Sequence, residues 1–509
     1  MAKAKPAKAK SAKPKPKAKS AKPKPKAAKP AKPKAAKAAK KAPKPAAAKA
    51  KPAAKPAPKA VAAKAPKGDG AKAADDADLS VSGQIYRNGK LVEGVLHIDT
   101  ATGRIVRLAK STIVGRHLDF GSLAILPGAI DLHVHFREPG HTHKEDLRTG
   151  SIAAAYGGVT GFVDMPNTLP ATTTLRAVKE KLALMSSRCV VDYAAWAGGS
   201  WYTGDLPQML RYTAGVKTYL GATTGDLLLD DAERFQQILA AAAAAGKPAA
   251  LHAESQRILA QMRRQEGTLA DHDIFRPPLA EVEAIYDAMK AVAAAKRPPR
   301  IHVAHVASPE AVQAAGTAKF SIGATPHHLL LDTSSPLTHA YGKVNPPLRA
   351  PPMRKALFDL FAAGKIPILE SDHAPHTTVE KEDNFHAAPS GMPGVETLAP
   401  VMLAQVKGGR LDLGTVVDAL TVNPATLLGL QDRGALDAGL RADFAVYDLK
   451  HTVKVDGGRL HSQCGWSPFD GHNAIFPSHT YLAGKPVVED GELVAEPGSG
   501  RSMLPLPKE

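Results

Sequence analysis

Between residues 123 and 372 the chain alternates short apolar runs with longer segments whose apolar residues recur every three or four positions. Short apolar runs are typical of strands covered on both faces, and the spacing of three and four is typical of helices. Eight strands alternating with helices predict an α/β fold, a (β/α)8 TIM-like barrel. The predicted strands are 123–135, 161–165, 190–196, 215–220, 249–252, 300–306, 320–326 and 366–372, and the predicted helices are 144–156, 175–187, 230–245, 279–295, 309–318 and 353–363.

On both sides of this region the pattern changes to short alternating runs separated by turns. Asn88-Gly89 precedes the barrel and Gly484-Lys485 follows it, and such pairs are typical of hairpins. The two segments predict a small discontinuous β-sandwich domain built from both ends of the chain. The predicted boundaries are 1–78 for an N-terminal tail, 79–126 and 431–509 for the two parts of the β-sandwich, and 127–430 for the barrel.

The tail has a composition of its own, since residues 1–67 contain 24 lysines and neither an arginine nor an acid. Its charge of +24 exceeds the +19 of the whole chain, which leaves −5 for residues 68–509. Lysine, alanine and proline supply too little apolar surface to offset the chain entropy, so residues 1–78 are predicted to be disordered. The basic charge therefore belongs to the tail.

Two functions stay open for this tail. It either binds polyanions such as DNA or RNA without specificity, through counterion release, or it is a solvated extension that affects only solubility. Because the tail contains neither aromatic residues nor arginine, any nucleic-acid contact is expected to be independent of base sequence.

The length of the apolar stretches and the number of cysteines predict where in the cell the protein is located. Lysines recur throughout the N-terminal segment and leave no continuous apolar core, so we expect no secretory leader. No apolar stretch reaches the length of about 20 residues that a membrane span needs, so we expect no membrane contact. Cys189 and Cys464 are the only cysteines, too few for a disulfide framework. We therefore expect a cytoplasmic protein. We also expect a homo-oligomer, although the sequence does not give the number of subunits.

His133 and His135, at the end of the first apolar run, are the first candidates for metal ligands. Residues two apart on a strand point to the same side, so both imidazoles are able to reach one point. An HxH pair alone is more often structural than metal-binding. In this fold, active sites lie at the C-terminal ends of the strands. Polar residues also stand at the ends of further predicted strands, so a metal-binding role of the HxH pair is favoured over a structural one. These residues are Asn167, Lys217, His252, His305 and Asp372.

The imidazoles and the carboxylate predict a centre for two divalent ions. Such ligands suit Zn2+ with an open position for water, and water between two such ions ionises near neutral pH. We predict that one ion is held by His133, His135 and Asp372. The other is held by His252 and His305. Asp372 is also able to move a proton to a leaving nitrogen.

Lys217 does not fit such a centre as an ammonium, because like charges repel each other. Reaction of its amine with CO2 would give a carbamate, a two-oxygen anion that is able to bridge two divalent ions. A carboxylated Lys217 would be able to bind both ions, although the sequence alone shows only a lysine.

The motifs around these positions resemble those of the dihydroorotases of the amidohydrolase superfamily, over roughly residues 80–490. They are PGAIDLHVHFREPG at 127–140, MPNT at 165–168, GVK at 215–217, NPPLR at 345–349, SDHAPH at 371–376 and GMPGVET at 391–397. The resemblance implies zinc, with Lys217 N6-carboxylated, and a step of pyrimidine biosynthesis, the interconversion of N-carbamoyl-L-aspartate and L-dihydroorotate. It also implies substrate contacts from Arg137, Asn167 and His376. A guanidinium at Arg137 suits bidentate binding of a carboxylate.

Two alternatives compete with this function. The first is an allantoinase or another hydantoinase-like cyclic amidohydrolase, and Arg137 with Asn167 disfavours it because these groups suit a substrate with a free carboxylate. The second is a catalytically inactive homologue with a polyanion-binding tail. The presence of all six predicted metal ligands disfavours that reading.

For two arginines, the alternative to binding substrate is a structural role. Arg137 would otherwise form a surface ion pair with Glu138. Arg349 is a second candidate for binding a substrate carboxylate, and its alternative is again a surface ion pair.

The role of three further features is less defined. His327 and His328 follow a strand end without matching a ligand position, so they are expected to be structural. Glu370 stands two residues before Asp372, where the resemblance predicts a small or apolar residue, and no role is predicted for it. Residues 223–225 are expected to form a mobile loop over the substrate.

Overall fold

The structure, a computed structural model, describes residues 77–262, 264–295 and 297–507. The predicted disordered tail lies outside the described residues, apart from Ala77 and Asp78. Within the described ranges, no helix is both long enough and apolar enough to cross a membrane.

The described residues form nineteen strands and fourteen α-helices. The strands are β1 Leu79–Arg87, β2 Lys90–Asp99, β3 Arg104–Ala109, β4 Arg116–Pro127, β5 Ala129–Val134, β6 Val159–Asp164, β7 Asp192–Ala195, β8 Ala197–Gly198, β9 Val216–Tyr219, β10 Ala249–His252, β11 Ile301–Val303, β12 Ser321–Ala324, β13 Ile368–Leu369, β14 Phe444–Tyr447, β15 Val453–Lys454, β16 Asn473–Ala474, β17 Pro477–Leu482, β18 Lys485–Glu489 and β19 Glu492–Leu493. The helices are α1 Leu147–Tyr156, α2 Leu175–Arg188, α3 Leu206–Met209, α4 Ala232–Ala244, α5 Gln256–Met262, α6 Leu269–Phe275, α7 Pro278–Ala293, α8 Pro309–Thr317, α9 Pro326–Leu330, α10 Pro351–Ala362, α11 Thr378–Lys381, α12 Leu398–Lys407, α13 Leu413–Leu420 and α14 Val422–Leu428.

Parallel strands β5 to β13 form the barrel. β5, β6 and β7 pair in that order, and β8 to β13 pair consecutively. Trp196 separates β7 from β8, so these two short segments together supply the third of eight strand positions. Beyond β13, His373 bridges to Val134 of β5, and the His135 N–H donates to the His373 carbonyl at 2.7 Å. This contact closes the barrel next to the HxH pair.

The strands outside the barrel come from both ends of the chain and form one eight-stranded sheet. Its order is β19-β18-β17-β14-β4-β1-β2-β3. β4 pairs with β1 in parallel and with β14 in antiparallel orientation. The N-terminal and C-terminal segments of the chain therefore meet in the centre of the sheet, between β4 and β14. The fold predicted from the sequence, a barrel with a discontinuous β domain, is confirmed.

The predicted strand at 123–135 is wrong as a single element. β4 ends at Pro127 in the β domain and β5 begins at Ala129 in the barrel. At the break, the Gly128 N–H donates to the Asp443 carbonyl at 2.9 Å, and a Cβ on Gly128 would lie 2.1 Å from Thr160 Oγ1. A continuous apolar run hides such a break, because both strands are buried.

Helices α1, α2, α4, α7, α8 and α10 coincide with the six predicted helices to within a few residues. Helices α12 to α14 had no prediction. In α12 the residues from Leu398 to Ala404 are all buried, so apolar positions cover every side and the spacing of three and four is lost.

Candidate active site

Three of the predicted metal ligands converge on one point at the mouth of the barrel. His133 and His135 come from β5 and the turn after it, and Asp372 follows β13. Asp372 Oδ1 lies 3.3 Å from His133 Nε2 and 3.2 Å from His135 Nε2. Their ligand atoms all lie within 4.8 Å of one another. This buried set of two imidazoles and one carboxylate fits a divalent ion such as Zn2+.

His252 and His305 form a second pair beside the first set. Their facing nitrogens, His252 Nδ1 and His305 Nε2, are 3.3 Å apart. The His305 ring centroid lies 4.9 Å from that of His133, so the two groups are adjacent. The other ring nitrogen of His252, Nε2, lies 2.9 Å from Glu254, which is also bonded by Arg276. A proton on Nε2 therefore leaves the Nδ1 lone pair directed at His305.

Lys217 on β9 is fully buried, and its Nζ has no hydrogen-bond partner among the described residues. Burial lowers the pKa of Lys217 to about 8, against the opposing effect of the carboxylates of Glu370 and Asp372. An ammonium buried without a hydrogen-bond partner is unfavourable, although the centroid of the Tyr219 ring lies 5.3 Å from Nζ. A lowered pKa leaves more of the neutral amine that reacts with CO2. The orphaned Nζ therefore fits a carboxylated lysine better than a free one.

The electrostatics of the site favour metal-binding forms of the side chains. Burial, reinforced by the charge of Lys217, holds the pKa of His133 and His305 well below the usual value. Burial and Arg137 do the same for the pKa of His135. Imidazoles that are neutral at pH 7 offer a lone pair to a cation without first losing a proton.

The pKa of Asp372 lies well above the usual value of a carboxyl group. Burial raises its pKa to about 7, although the charge of Lys217 acts in the opposite direction. A carboxylate with a pKa near the working pH is able both to accept and to donate a proton.

Arg137 lines the pocket beside these groups and is only 4% exposed. Its Nε donates to the Pro375 carbonyl at 3.1 Å, and its Nη2 lies 3.1 Å from His376 Nε2. Glu138 pairs with Arg188 instead, at 2.8 Å. The alternative of a surface ion pair between Arg137 and Glu138 is therefore wrong.

Asn167 connects the candidate metal site to the loop at 223–225. Its Oδ1 lies 2.7 Å from His135 Nδ1, and its Nδ2 donates to the Thr224 carbonyl at 3.0 Å. Thr224 Oγ1 donates in turn to the Ser390 carbonyl at 3.0 Å. The loop thus lines the pocket, and its motion stays a prediction.

His376 lies behind Arg137 and does not line the pocket. Its Nδ1 is 3.2 Å from Lys144 Nζ, and its Nε2 is 3.1 Å from the Ser390 carbonyl. The structure therefore places His376 as a support for Arg137, and its direct contact with substrate stays a prediction.

Three site residues have a left-handed backbone. Arg137, His305 and Asp372 have φ values of +61°, +40° and +45°. Each follows a barrel strand closely, and such a conformation is uncommon for residues other than glycine. All three residues line the pocket, and their left-handed conformation has no sequence signature.

Some polar residues proved to have other roles. Arg349 is 2% exposed and pairs with Glu281 at 2.6 Å and Asp273 at 2.9 Å, so it forms a buried ion pair and not a surface one. His328 Nε2 lies 2.9 Å from the Pro346 carbonyl, which fits the structural role predicted for it.

Residues 124–487 match the model of the amidohydrolase family. The chain belongs to the amidohydrolase family. This amidohydrolase is 39% identical over 375 residues to a dihydroorotase of Halobacterium salinarum, a match that covers 73% of the chain and 87% of the relative. It is 36% identical over 426 residues to a dihydroorotase of Thermoplasma acidophilum, with 82% and 97% covered.

Among solved structures, the amidohydrolase is similar to an L-hydantoinase from Arthrobacter aurescens, with a TM-score of 0.79 and 28% identity over 83% of this chain and 99% of that one. A dihydropyrimidinase from Brevibacillus agri gives a TM-score of 0.76 at 23% identity, with 84% and 99% covered, and shows the fold alone. The resemblance to dihydroorotases and the assignment to hydrolases of cyclic amides are thereby confirmed. The domain boundaries and the individual site residues stay predictions.

Proposed function

We propose that this amidohydrolase interconverts N-carbamoyl-L-aspartate and L-dihydroorotate, a step of pyrimidine biosynthesis. The observation that carries the proposal is that buried Arg137 shares a pocket with the cluster of His133, His135 and Asp372. An anion-binding group beside a hydrolytic centre suits a cyclic amide that also bears a free carboxylate. The dihydroorotases among its relatives support the same substrate.

The residues present fit a pair of zinc ions. His133, His135 and Asp372 would hold one ion and His252 and His305 the other, and N6-carboxylated Lys217 would be a ligand of both. When bound, the ions polarise the amide carbonyl and lower the pKa of water towards neutrality. The protein contributes neutral imidazoles, which the buried site keeps unprotonated.

The remaining steps belong to side chains of the pocket. Arg137 binds the substrate carboxylate, supported by His376, while Asn167 orients both the substrate and the His135 ring. The carboxylate of Asp372 accepts a proton as water adds to the ring carbonyl and returns it to the departing ring nitrogen. In the direction of cyclisation the same carboxylate moves the proton the opposite way.

The substrate is tested by one comparative assay with purified protein. We expect turnover of dihydroorotate and carbamoyl aspartate and none of allantoin or hydantoin, because only the first two present a free carboxylate to Arg137. A chelator is expected to abolish the activity and added zinc to restore it, which is the control for the metal. Activity confined to allantoin and hydantoin would favour the related hydantoinase function, to which the 28% identical L-hydantoinase points.

We propose that the tail is a separate polyanion-binding segment. Residues 1–67 carry 24 lysines and no acid, whereas the rest of the chain is slightly acidic. Deletion of residues 1–75 is expected to leave turnover unchanged and to abolish DNA binding that weakens steeply with salt. Turnover and fluorescence-anisotropy titrations at several salt concentrations measure both effects. A large catalytic defect in the deleted protein would show instead that the tail is part of the enzyme.

We also propose a cytoplasmic homo-oligomer. The free thiols of Cys189 and Cys464, both buried, fit a reducing compartment.

A further inference from the structure

Glu370 is a fully buried carboxylate next to the predicted metal ligands, although it is not one of them. It follows β13 and precedes Asp372 by two residues, at a position where the motif predicted a small or apolar side chain. Burying a carboxylate is costly unless it is well paired. Its contacts therefore indicate what it stabilises.

One oxygen of Glu370 holds the backbone of His305. The His305 N–H donates to Glu370 Oε1 at 2.6 Å. His305 has a φ of +40°, and its Nε2 faces His252 Nδ1 at 3.3 Å. A charged acceptor forms a stronger hydrogen bond than a neutral one, so Glu370 stabilises the uncommon backbone conformation that directs this ring.

The other oxygen faces the ring of His133. Glu370 Oε2 lies 3.7 Å from His133 Nδ1, while His133 Nε2 points to Asp372 Oδ1 at 3.3 Å. A neutral imidazole has one N–H and one lone pair. This distance is a charge contact and not a hydrogen bond, and His133 Nδ1 has no hydrogen-bond partner among the described residues. The negative charge of the nearby carboxylate favours a proton on Nδ1, which leaves the lone pair on Nε2 directed at Asp372 and the predicted metal site.

The surroundings hold the carboxylate of Glu370 in place. Its Oε2 also lies 3.3 Å from His302 Nε2, and His302 Nδ1 lies 3.1 Å from Ser321 Oγ. On β12, Gly323 leaves the space that the carboxylate fills, since a Cβ there would lie 2.4 Å from Glu370 Oε1. His302 thus holds the carboxylate in position, and the absence of a side chain at Gly323 leaves room for it.

We propose that Glu370 is a positioning residue for zinc binding, which sets one ligand of each predicted ion: His133 for the first and His305 for the second. The inference rests on the proposed function, because it assumes that these two histidines bind metal. It also explains why a charged residue stands in a motif position that otherwise favours a small or apolar one.

The test compares Glu370→Gln with Glu396→Gln in the full chain. Glu396 is a matched control, because it is also buried, accepts the backbone N–H of a histidine, His461, at 2.8 Å and lies 2.9 Å from that ring. Zinc affinity is measured by competition with a chromophoric chelator, and kcat and KM for dihydroorotate are measured on zinc-loaded protein. Glu370→Gln is expected to bind zinc about 10- to 100-fold more weakly and to lower kcat more than it changes KM, because it keeps an acceptor but loses the charge. Glu396→Gln is expected to bind zinc as the wild type does.

Gly323→Ala provides a second variant that leaves Glu370 itself intact. The added methyl displaces the carboxylate, so zinc affinity is expected to fall in this variant too. Wild-type zinc affinity in Glu370→Gln, or in Gly323→Ala if the first variant does not fold, would overturn the inference while leaving the proposed function standing. Wild-type protein that binds no zinc would overturn both.

Discussion

Lys217→Ala is expected to lose zinc and turnover together. The variant removes the group that is proposed as a ligand of both ions. It leaves a cavity in place of a buried Nζ for which the described part of the chain provides no hydrogen-bond partner. Removing a single group that stabilises developing charge already costs on the order of 10²–10³-fold, and here the metal is lost as well. We therefore expect kcat/KM to fall by at least about 10³-fold. Elemental analysis of the purified variant and a dihydroorotate assay measure the two losses.

Chemical rescue distinguishes this explanation from misfolding. A short carboxylic acid that enters the cavity supplies the two oxygens of the lost carbamate, so it is expected to restore part of the zinc content and part of the activity. A misfolded variant would show an altered thermal transition and no rescue. Full activity in Lys217→Ala without any additive would contradict the bridging carbamate.

Arg137→Lys is expected to raise the KM for dihydroorotate by about 10- to 100-fold. Lysine keeps the positive charge but loses the planar fork that binds both carboxylate oxygens, and hydrogen bonds to charged groups each contribute about 1.5–3 kcal/mol. Because the carboxylate does not react, kcat is expected to change less than KM. Steady-state kinetics measure the two parameters. The zinc content is expected to stay at the wild-type level, since Arg137 is not among the proposed ligands.

Arg188→Lys is the control for this variant. Arg188 pairs with Glu138, the chain neighbour of Arg137, but its side chain is 44% exposed and lies outside the pocket. Its substitution is expected to leave both kinetic parameters unchanged. An unchanged KM in Arg137→Lys would contradict the assignment of Arg137 to the substrate carboxylate and would reopen the question of a neutral ring substrate.

These two variants probe the two parts of the proposed site. In the proposal, Lys217 and the histidines form the cation-binding part, and Arg137, which lines the same pocket as the histidines, forms the anion-binding part. The similarity in fold to hydantoinases extends over nearly the whole of those chains, so the barrel alone does not select the substrate. The buried guanidinium is the feature of the pocket that favours a substrate with a free carboxylate.

Local pattern predicted much of the fold. Spacing of apolar residues was sufficient for α2, α4, α7, α8 and α10, because each of these helices buries one face and exposes the other. Helix α1 was predicted as well, although Arg148 is its only exposed residue. The spacing was insufficient for α12, which is buried on every side, and at Gly128, where one apolar run is divided between two sheets. The spacing of apolar residues identifies an element most clearly where one side of that element is polar.

Three features can be read from the amino-acid sequence alone: the alternation of strands and helices, the motifs of a dihydroorotase-like amidohydrolase, and the residue types available for a metal centre. These are local properties, set by spacing and side-chain chemistry over a few residues. Three features follow from long-range packing instead. His133 and Asp372, 239 positions apart in the chain, lie 3.3 Å from each other, Arg349 is buried in ion pairs, and Glu370 contacts two of the predicted metal ligands, His133 and His305. These contacts depend on barrel closure, which brings together strand ends that are far apart in the chain.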